Sequence, residues 1–243
     1  MTLEKTPSHP HKDTLVVIPA RNEAANIADL AGRCALHAKV LVVDDHSTDD
    51  TARAAAGVKG VSCIPNTGEP GIRHAVLAGL AHAVDRGFSR VVTMDAGGSH
   101  DPEEIPGLIR DASAADMVLT RRVKKPGCPP SRKLLSAGAA AYFNVLVRVK
   151  APGRVPWVHD PTSGFRLYSA PCARRLLSAS FVSTMHAFHL EALFHLLAAG
   201  RTFVERPITY RYSSSSLGLS AFADSVLAAV RLAAARGGPP ASG

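Results

Sequence analysis

Apolar residues along this chain follow two alternating periods. Short unbroken apolar runs, rich in Val and Ile, are followed by segments in which apolar residues recur every three or four positions. The first pattern predicts a buried strand and the second an amphipathic helix. Because the two patterns take turns along the chain, we predict βαβ units and an α/β fold with a mostly parallel sheet.

The predicted elements cover most of the chain. Strands are predicted at 14–18, 39–43, 61–64, 90–94, 116–120, 166–168 and 202–211. Helices are predicted after Glu23, from about 47–50, and at 71–86, 102–112, 132–149, 187–199 and 219–236. We therefore expect one domain at 14–217, between a disordered tail at 1–13 and an amphipathic helix at 218–236, with a flexible tail at 237–243.

Three of the apolar runs end abruptly in carboxylates, amides and small residues. They read VVIPARNE at 16–23, VVDDHSTDD at 42–50 and TMDAGGSHDPEE at 93–104. In open α/β sheets, ligands bind in the crevice outside the carboxyl ends of the strands, where loops from several strands meet. A single acidic strand end is a common helix cap, but three together predict one ligand site.

The net charge narrows the choice of partner. A formal charge of +8 indicates an anionic partner, which the charge alone leaves open among nucleic acid, a phospholipid surface and a phosphorylated small molecule. Aromatic residues make up only 5% of the chain and form no stripe interleaved with Lys and Arg, so no nucleic-acid partner is expected. The four Cys residues are far apart and no apolar run approaches about 20 residues, which predicts a cytoplasmic protein.

Two basic segments lie outside the strand ends. The loop RRVKKPGCPP at 121–130 interrupts the alternation, and we interpret it as a lid over an anionic ligand. The helix predicted at 219–236 carries Arg231 and Arg236, which would face anionic headgroups if the helix lay on the inner membrane face. Packing of this helix against the domain is the alternative.

The three strand-end segments, together with HDPTSGFRLYS at 159–169, HLEALFHLLAAG at 189–200 and ERPITYR at 205–211, resemble family 2 glycosyltransferases. Within that family they are most similar to dolichyl- and polyprenyl-phosphate mannose synthase catalytic domains. The resemblance covers roughly residues 14–217. It implies a GT-A fold, in which a Rossmann-like, mostly parallel sheet is flanked by helices, and inverting transfer of a hexose from a nucleotide-diphosphate sugar.

The resemblance also implies a donor site at the strand ends. The first wall of the nucleoside pocket would comprise Pro19, Ala20, Asn22 and Glu23, and the base or ribose would contact Asp44 and Asp45. Asp95 and Ala96 would lie at the diphosphate, where the glycines that follow let it approach the backbone. Cationic contacts to phosphates are expected from Arg73, Arg132 and Arg211, although a solvated position on its helix is the alternative for Arg73.

Two departures from the family pattern concern charge at the diphosphate. Gly97 stands where the family has the second Asp of its metal motif, so a requirement for Mg²⁺ or Mn²⁺ is open. Asp95 could still hold such a cation with help from Ser99 or His100. The serine run at 213–216 replaces the family's phosphate-facing Lys, a role that the basic loop at 121–130 could take over.

Asp160 is the candidate catalytic residue on the acceptor side. Its carboxylate would either take a proton from an attacking hydroxyl or support the loop around Ser163 and Gly164. A phosphate monoester is largely deprotonated at neutral pH and attacks without a base, whereas a sugar hydroxyl requires one. Glu191 is a further candidate on this side.

Three functions follow from these alternatives. The first is transfer of a mannose-like or glucose/GlcNAc-like hexose to a polyprenyl phosphate, and the second is transfer to a hydroxyl of a soluble natural product or saccharide. The third is a catalytically silent nucleotide-binding module, because loss of metal carboxylates removes chemistry from such a site. Each predicts a nucleotide bound at the same strand ends.

Overall fold

A computed structural model describes residues 11–124, 130–151, 153–183, 185 and 187–211, with the backbone alone at 124 and 130–135. The strands are β1 (His11–Ala20), β2 (Ala38–Asp44), β3 (Val61–Pro65), β4 (Arg90–Thr93), β5 (Met117–Lys124), β6 (Arg166–Ser169) and β7 (Phe203–Thr209). The helices are α1 (Ile27–Cys34), α2 (Thr51–Ala56), α3 (Ile72–Asp85), α4 (Ile105–Asp111), α5 (Pro130–Lys150), α6 (Ala170–Leu177) and α7 (Phe188–Ala198). A 3-10 turn, Pro102–Glu104, precedes α4.

All seven strands of the described chain form one sheet in the order β3-β2-β1-β4-β6-β5-β7. Neighbouring strands run parallel except around β6, which is antiparallel to both β4 and β5. The predicted α/β fold with a mostly parallel sheet is therefore confirmed. Ala20 pairs with Asp44, and Asp44 pairs with Pro65, so the carboxyl ends of β1, β2 and β3 lie side by side at one edge.

Both faces of the sheet are buried, which explains the unbroken apolar runs in the sequence. Along β1, Leu15 and Val17 belong to one hydrophobic core while Val16 and Ile18 belong to the other. The first core includes side chains of α3, α5, α6 and α7, and the second those of α1 and α4. The strands thus form a rigid layer between two layers of helices. This layer supports the loops that follow the carboxyl ends of the strands.

Helix α3 packs directly on β1 through a glycine. A Cβ placed on Gly79 would lie 2.2 Å from Cγ1 of Val17, far inside van der Waals contact. Gly79→Ala is therefore expected to lower the free energy of unfolding by about 1–3 kcal/mol, as other overpacked cores do, despite the better helix propensity of Ala. Urea denaturation of the two proteins measures this difference.

The matched control is Gly138→Ala on α5, where an added Cβ meets no atom within 4 Å. There the helix propensity of Ala acts alone and should raise the free energy of unfolding by up to about 1 kcal/mol. Equal effects of the two substitutions would contradict the close packing of α3 on β1.

Some predicted boundaries differ from the structure. The strand predicted from residue 14 begins at His11, so residues 11–13 of the expected tail belong to β1, and His11 pairs with Ala38. The basic segment predicted as a loop starts as strand, since β5 pairs with β7 as far as Lys124. Helix α6 was not predicted. Residues 1–10, 125–129 and 212–243, which include the predicted C-terminal helix with Arg231 and Arg236, lie outside the described residues.

Candidate active site

The loops after β1 and β2 are locked together by hydrogen bonds. The side-chain carbonyl of Asn22 accepts the backbone N–H of Thr48 at 2.8 Å, and Ser47 Oγ accepts the N–H of Asn22 at 3.0 Å. Asn22 adopts a left-handed φ of 55°, a conformation that Asn tolerates better than most residues. The N–H of Glu23 donates to Thr51 Oγ1 at 2.8 Å. The structure thus brings the first two predicted strand ends into one wall, behind which Pro19 and Ala20 end β1.

Asp44 and Asp45 have different surroundings although they are neighbours in sequence. The carboxylate of Asp45 is buried and accepts Nδ2 of Asn66 at 2.6 Å and the N–H of Gly71 at 2.9 Å. It therefore fixes the loop that leads into α3. Asp44 is half-buried, and its Oδ1 is buried without a hydrogen-bond partner among the described residues. A buried carboxylate oxygen in that state is suited to accept an N–H or O–H of a ligand.

Asp95 follows β4 at the same edge of the sheet. Its side chain is 41% exposed, and its Oδ2 lies 3.4 Å from Nε2 of His100. His100 is buried between the rings of Phe165 and Tyr210, each with its centroid 5.1 Å away. His100 is therefore held in contact distance of a carboxylate that still faces solvent.

The turn after Asp95 lacks the second carboxylate of the family motif. A Cβ on Gly97 would lie 3.7 Å from Oε1 of Glu23, an ordinary contact, so a side chain fits at this position. Gly98 has a φ of 68° and forms the left-handed part of the turn. Ala96 is buried beside it. Glu23 therefore lies beside the space where the second Asp would stand.

A divalent cation fits this turn only with help from a ligand. In the described ranges, no three His, Cys, Asp or Glu side chains gather into a preformed metal cage. Mg²⁺ in nucleotide enzymes is commonly held by one or two carboxylates together with phosphate oxygens and water. Asp95 meets that requirement as one ligand, and a bound diphosphate would supply others.

His189, which the sequence did not single out, also lies near Asp95. A Cβ on Gly164 would lie 2.8 Å from Oδ1 of Asp95 and 2.8 Å from Nε2 of His189. Oδ1 of Asp95 and Nε2 of His189 therefore both lie beside Gly164, and the distance between them is at most twice 2.8 Å. His189 stands in the first turn of α7 within an apolar segment, a setting in which a core histidine is the usual interpretation. Only the tertiary fold places it beside β4.

Asp160 is engaged by an arginine that the sequence analysis treated only as part of a basic loop. Arg122 donates from Nε to Oδ2 at 2.7 Å and from a terminal nitrogen to Oδ1 at 2.6 Å. Both side chains are largely buried, 14% exposed for Arg122 and 4% for Asp160. Burial alone would lower the pKa of Arg122, but the hydrogen bond and charge of Asp160 outweigh it and raise that pKa. The guanidinium also lies over the ring of Tyr210, 5.2 Å from its centroid.

The loop from Asp160 to Gly164 is fixed along its whole length. Arg166, fully buried, donates to the carbonyl of Pro161 at 2.5 Å and to that of His189 at 2.7 Å. Ser163 shares a 2.7 Å hydrogen bond with Thr120, and the Gly164 carbonyl accepts Thr93 Oγ1 at 2.8 Å. This loop is thus tied to β4, β5, β6 and α7 at once.

The remaining predicted residues occupy varied positions. Arg73 donates to the carbonyl of Phe181 at 3.1 Å, so its guanidinium ties α3 to the loop before α7. Exposed Arg211 lines a polar cavity of about 210 Å³ beside Gly98 and His100, and its N–H donates to the carbonyl of Ser99 at 3.0 Å.

The backbone of Arg132 lies in α5, and its side chain is outside the described residues. Glu191 is buried and accepts the N–H groups of residues 182 and 183, both at 2.9 Å.

Comparison with known proteins gives a family for this arrangement. The model of the family described as glycosyl transferase family 2 matches residues 15–176. An undecaprenyl-phosphate mannosyltransferase from Micrococcus luteus is 32% identical over 207 residues, which cover 81% of this chain and 82% of the relative. A polyprenol monophosphomannose synthase from Mycolicibacterium smegmatis is 32% identical over 224 residues, covering 87% and 81% of the two chains.

Solved structures agree with the fold. Glucosyl-3-phosphoglycerate synthase from Mycobacterium tuberculosis, in complex with Mn²⁺, UDP and glucosyl-3-phosphoglycerate, superposes with a TM-score of 0.69 at 19% identity. The superposition covers 92% of this chain and 80% of that enzyme. Among the helices of the described part, none combines the length and the apolar character that a bilayer crossing requires.

Proposed function

Since the chain belongs to glycosyl transferase family 2, we propose that it transfers a hexose from a nucleotide-diphosphate sugar to a polyprenyl phosphate. The sugar is mannose or a similar hexose, and the anomeric carbon is inverted. Two relatives named for transfer to undecaprenyl phosphate or a polyprenol monophosphate support this acceptor, and the alignments cover about four-fifths of each. The α/β sheet with its polar carboxyl edge supports a nucleotide donor.

The observation that carries this acceptor is the ion pair of Asp160 with Arg122. A sugar hydroxyl needs a base, and a carboxylate bound at both oxygens by a guanidinium is a weak one. A phosphate monoester needs no base at neutral pH, but it needs cations. We propose that Asp160 acts by holding Arg122 in place, so that the guanidinium of Arg122 receives the acceptor phosphate.

The residues at the strand ends bind the nucleotide-sugar donor. Asp44 accepts a hydrogen bond from the nucleoside, and Asp95 lies at the diphosphate. A divalent cation held at Asp95 would neutralise the charge that develops on the leaving nucleoside diphosphate. The acceptor phosphate oxygen attacks the anomeric carbon from the side opposite the leaving diphosphate, which inverts it. Arg211 would contribute further positive charge near Gly98.

A peripheral membrane contact is part of the proposal, because a polyprenyl chain resides in a bilayer. Exposed apolar side chains follow one another along and after α5, at Tyr142, Val145, Val149 and Trp157. The guanidinium of Arg148 lies 5.4 Å from the ring centroid of Trp157. Aromatic and aliphatic side chains beside a cation are typical of helices that lie in the headgroup region. This surface would bring the site to the acceptor from the cytoplasmic side.

Mass spectrometry tests the proposed transfer. The purified protein is incubated with GDP- and UDP-sugars and a short polyprenyl phosphate, in Mg²⁺, in Mn²⁺ and in chelator. We expect a hexosyl phosphoprenol from one donor. The same panel is run with saccharide and natural-product hydroxyl acceptors, and a product only there would overturn the phosphate acceptor. Thermal stabilisation by a nucleoside diphosphate without any product would instead support a silent binding module.

A further inference from the structure

We propose that His189 supplies the cation ligand that Gly97 lacks, so that Asp95 and His189 together hold a divalent cation against the donor diphosphate. This inference rests on the proposed function only in assuming a nucleotide-diphosphate ligand at the strand ends. It concerns how this chain compensates for the absent carboxylate. It assigns a new role to a histidine from α7.

The geometry around Gly164 carries the inference. Oδ1 of Asp95 and Nε2 of His189 both lie 2.8 Å from the position of a Cβ on that residue. A cation with metal–ligand distances of about 2.1 Å can bridge two donors roughly 4 Å apart, a separation that this shared position allows. Since Gly164 has no side chain, nothing of its own fills the space between the carboxylate and the imidazole. Any larger residue would displace both groups.

Contacts with Arg166 and Phe188 fix the position of His189 beside Gly164. Its carbonyl accepts a 2.7 Å hydrogen bond from Arg166, and its ring packs against Phe188 with centroids 5.6 Å apart. Arg166 binds the carbonyl of Pro161 as well, so the histidine and the loop that contains Gly164 are fixed to each other. The backbone of His189 and the position of its ring are therefore both fixed by neighbouring residues. If His189 served only to fill the core, the position opposite its ring could hold a larger residue than Gly164.

The cation site is formed only when the nucleotide binds. No preformed cage of three ligating side chains exists in the described part of the chain, so the protein alone should bind metal weakly. Two protein ligands and the diphosphate oxygens together complete the coordination. Because imidazole favours first-row transition ions over Mg²⁺, the site should prefer Mn²⁺ or Co²⁺ to Mg²⁺.

Electron paramagnetic resonance of Mn²⁺ tests the inference without any transfer reaction. Mn²⁺ is titrated into the full chain with saturating GDP, with saturating UDP, and with neither. We expect nucleotide-dependent Mn²⁺ binding, weakened at least about tenfold in His189→Leu. The matched control is His82→Leu, near the carboxyl end of α3 and therefore at the opposite edge of the sheet, which should bind Mn²⁺ like the wild type. Unchanged Mn²⁺ affinity in His189→Leu would overturn the inference.

Restoring the missing carboxylate separates a ligand from a residue that only supports the fold. A Cβ at position 97 meets nothing closer than 3.7 Å, so Gly97→Asp should fold. In the His189→Leu background, Gly97→Asp should restore nucleotide-dependent metal binding and shift the preference toward Mg²⁺. If His189→Leu acts only by disturbing α7, Gly97→Asp will not restore binding, and thermal unfolding of His189→Leu will show the damage. That result would overturn the inference.

The outcomes distinguish this inference from the proposed function. Hexose transfer by the wild type together with unchanged Mn²⁺ binding in His189→Leu would contradict the metal ligand alone. Binding of Mn²⁺ that depends on His189, in a protein that transfers no sugar to polyprenyl phosphate, would contradict the function alone.

Discussion

Asp95→Asn is expected to lower kcat for sugar transfer by about 10²–10³-fold, the range seen when one preorganised electrostatic group is removed from an active site. The substitution keeps the shape of the side chain but removes its charge, beside His100 at 3.4 Å and beside Gly164. Binding of the nucleoside should change less, because the proposed contact to that part of the donor comes from Asp44 at the end of β2. Steady-state kinetics with the donor found by mass spectrometry separates kcat from KM.

The control for this prediction is Asp85→Asn, the same chemical change at the exposed end of α3. The end of α3 lies at the opposite edge of the sheet from Asp95, so the kcat of Asp85→Asn should equal that of the wild type. A wild-type kcat in Asp95→Asn would remove this carboxylate from the reaction and, with it, the placement of the diphosphate at the end of β4.

Arg122→Met is expected to lower the free energy of unfolding by about 3–5 kcal/mol. The substitution leaves the Asp160 carboxylate buried without its main cation, and an uncompensated buried charge has a penalty of this size. For a domain whose whole stability is about 5–15 kcal/mol, this is a large fraction. Urea denaturation at neutral pH measures the effect.

A double-mutant cycle shows whether the effect arises from the ion pair. Asp160→Asn combined with Arg122→Met removes both charges, and the double variant should be more stable than Arg122→Met alone. Additive losses would mean that Arg122 contributes through packing on Tyr210 and not through Asp160. The free energy of unfolding is the measurement for this cycle, because the transfer activity of the same variants would also depend on binding of the acceptor phosphate.

The fold could be predicted from the sequence because the strands are buried on both faces. Strands β1, β2 and β4 and the first half of β5 each appear as an apolar run, and the helices between them show a different period. The direction of β6 could not be predicted, since four residues carry no signal for their pairing with β4 and β5. The extension of β5 was missed because its outer residues are basic and pair with β7 only in the folded chain.

The strand ends of the site were predictable for the same physical reason. Parallel strands place their carboxyl ends at one edge, so Asn22, Asp44 and Asp95 meet there whatever the helices do. The partners of these residues were not predictable, because they come from distant segments. Arg122 binds Asp160 across 38 positions of sequence, and His189 and Asp95 both lie close to Gly164. Neither is preceded by a local pattern that marks a ligand.

The anchoring of residues 160–164 has a consequence for the thermodynamics of acceptor capture. Hydrogen bonds from Arg122, Arg166, Thr120 and Thr93 have already removed the conformational freedom of this loop before any acceptor arrives. Ordering a loop on binding would consume part of the interaction free energy, and here that entropic penalty is met during folding. On the proposed function, the acceptor headgroup would meet a surface of fixed shape, and discrimination between headgroups would depend on how well each one matches it.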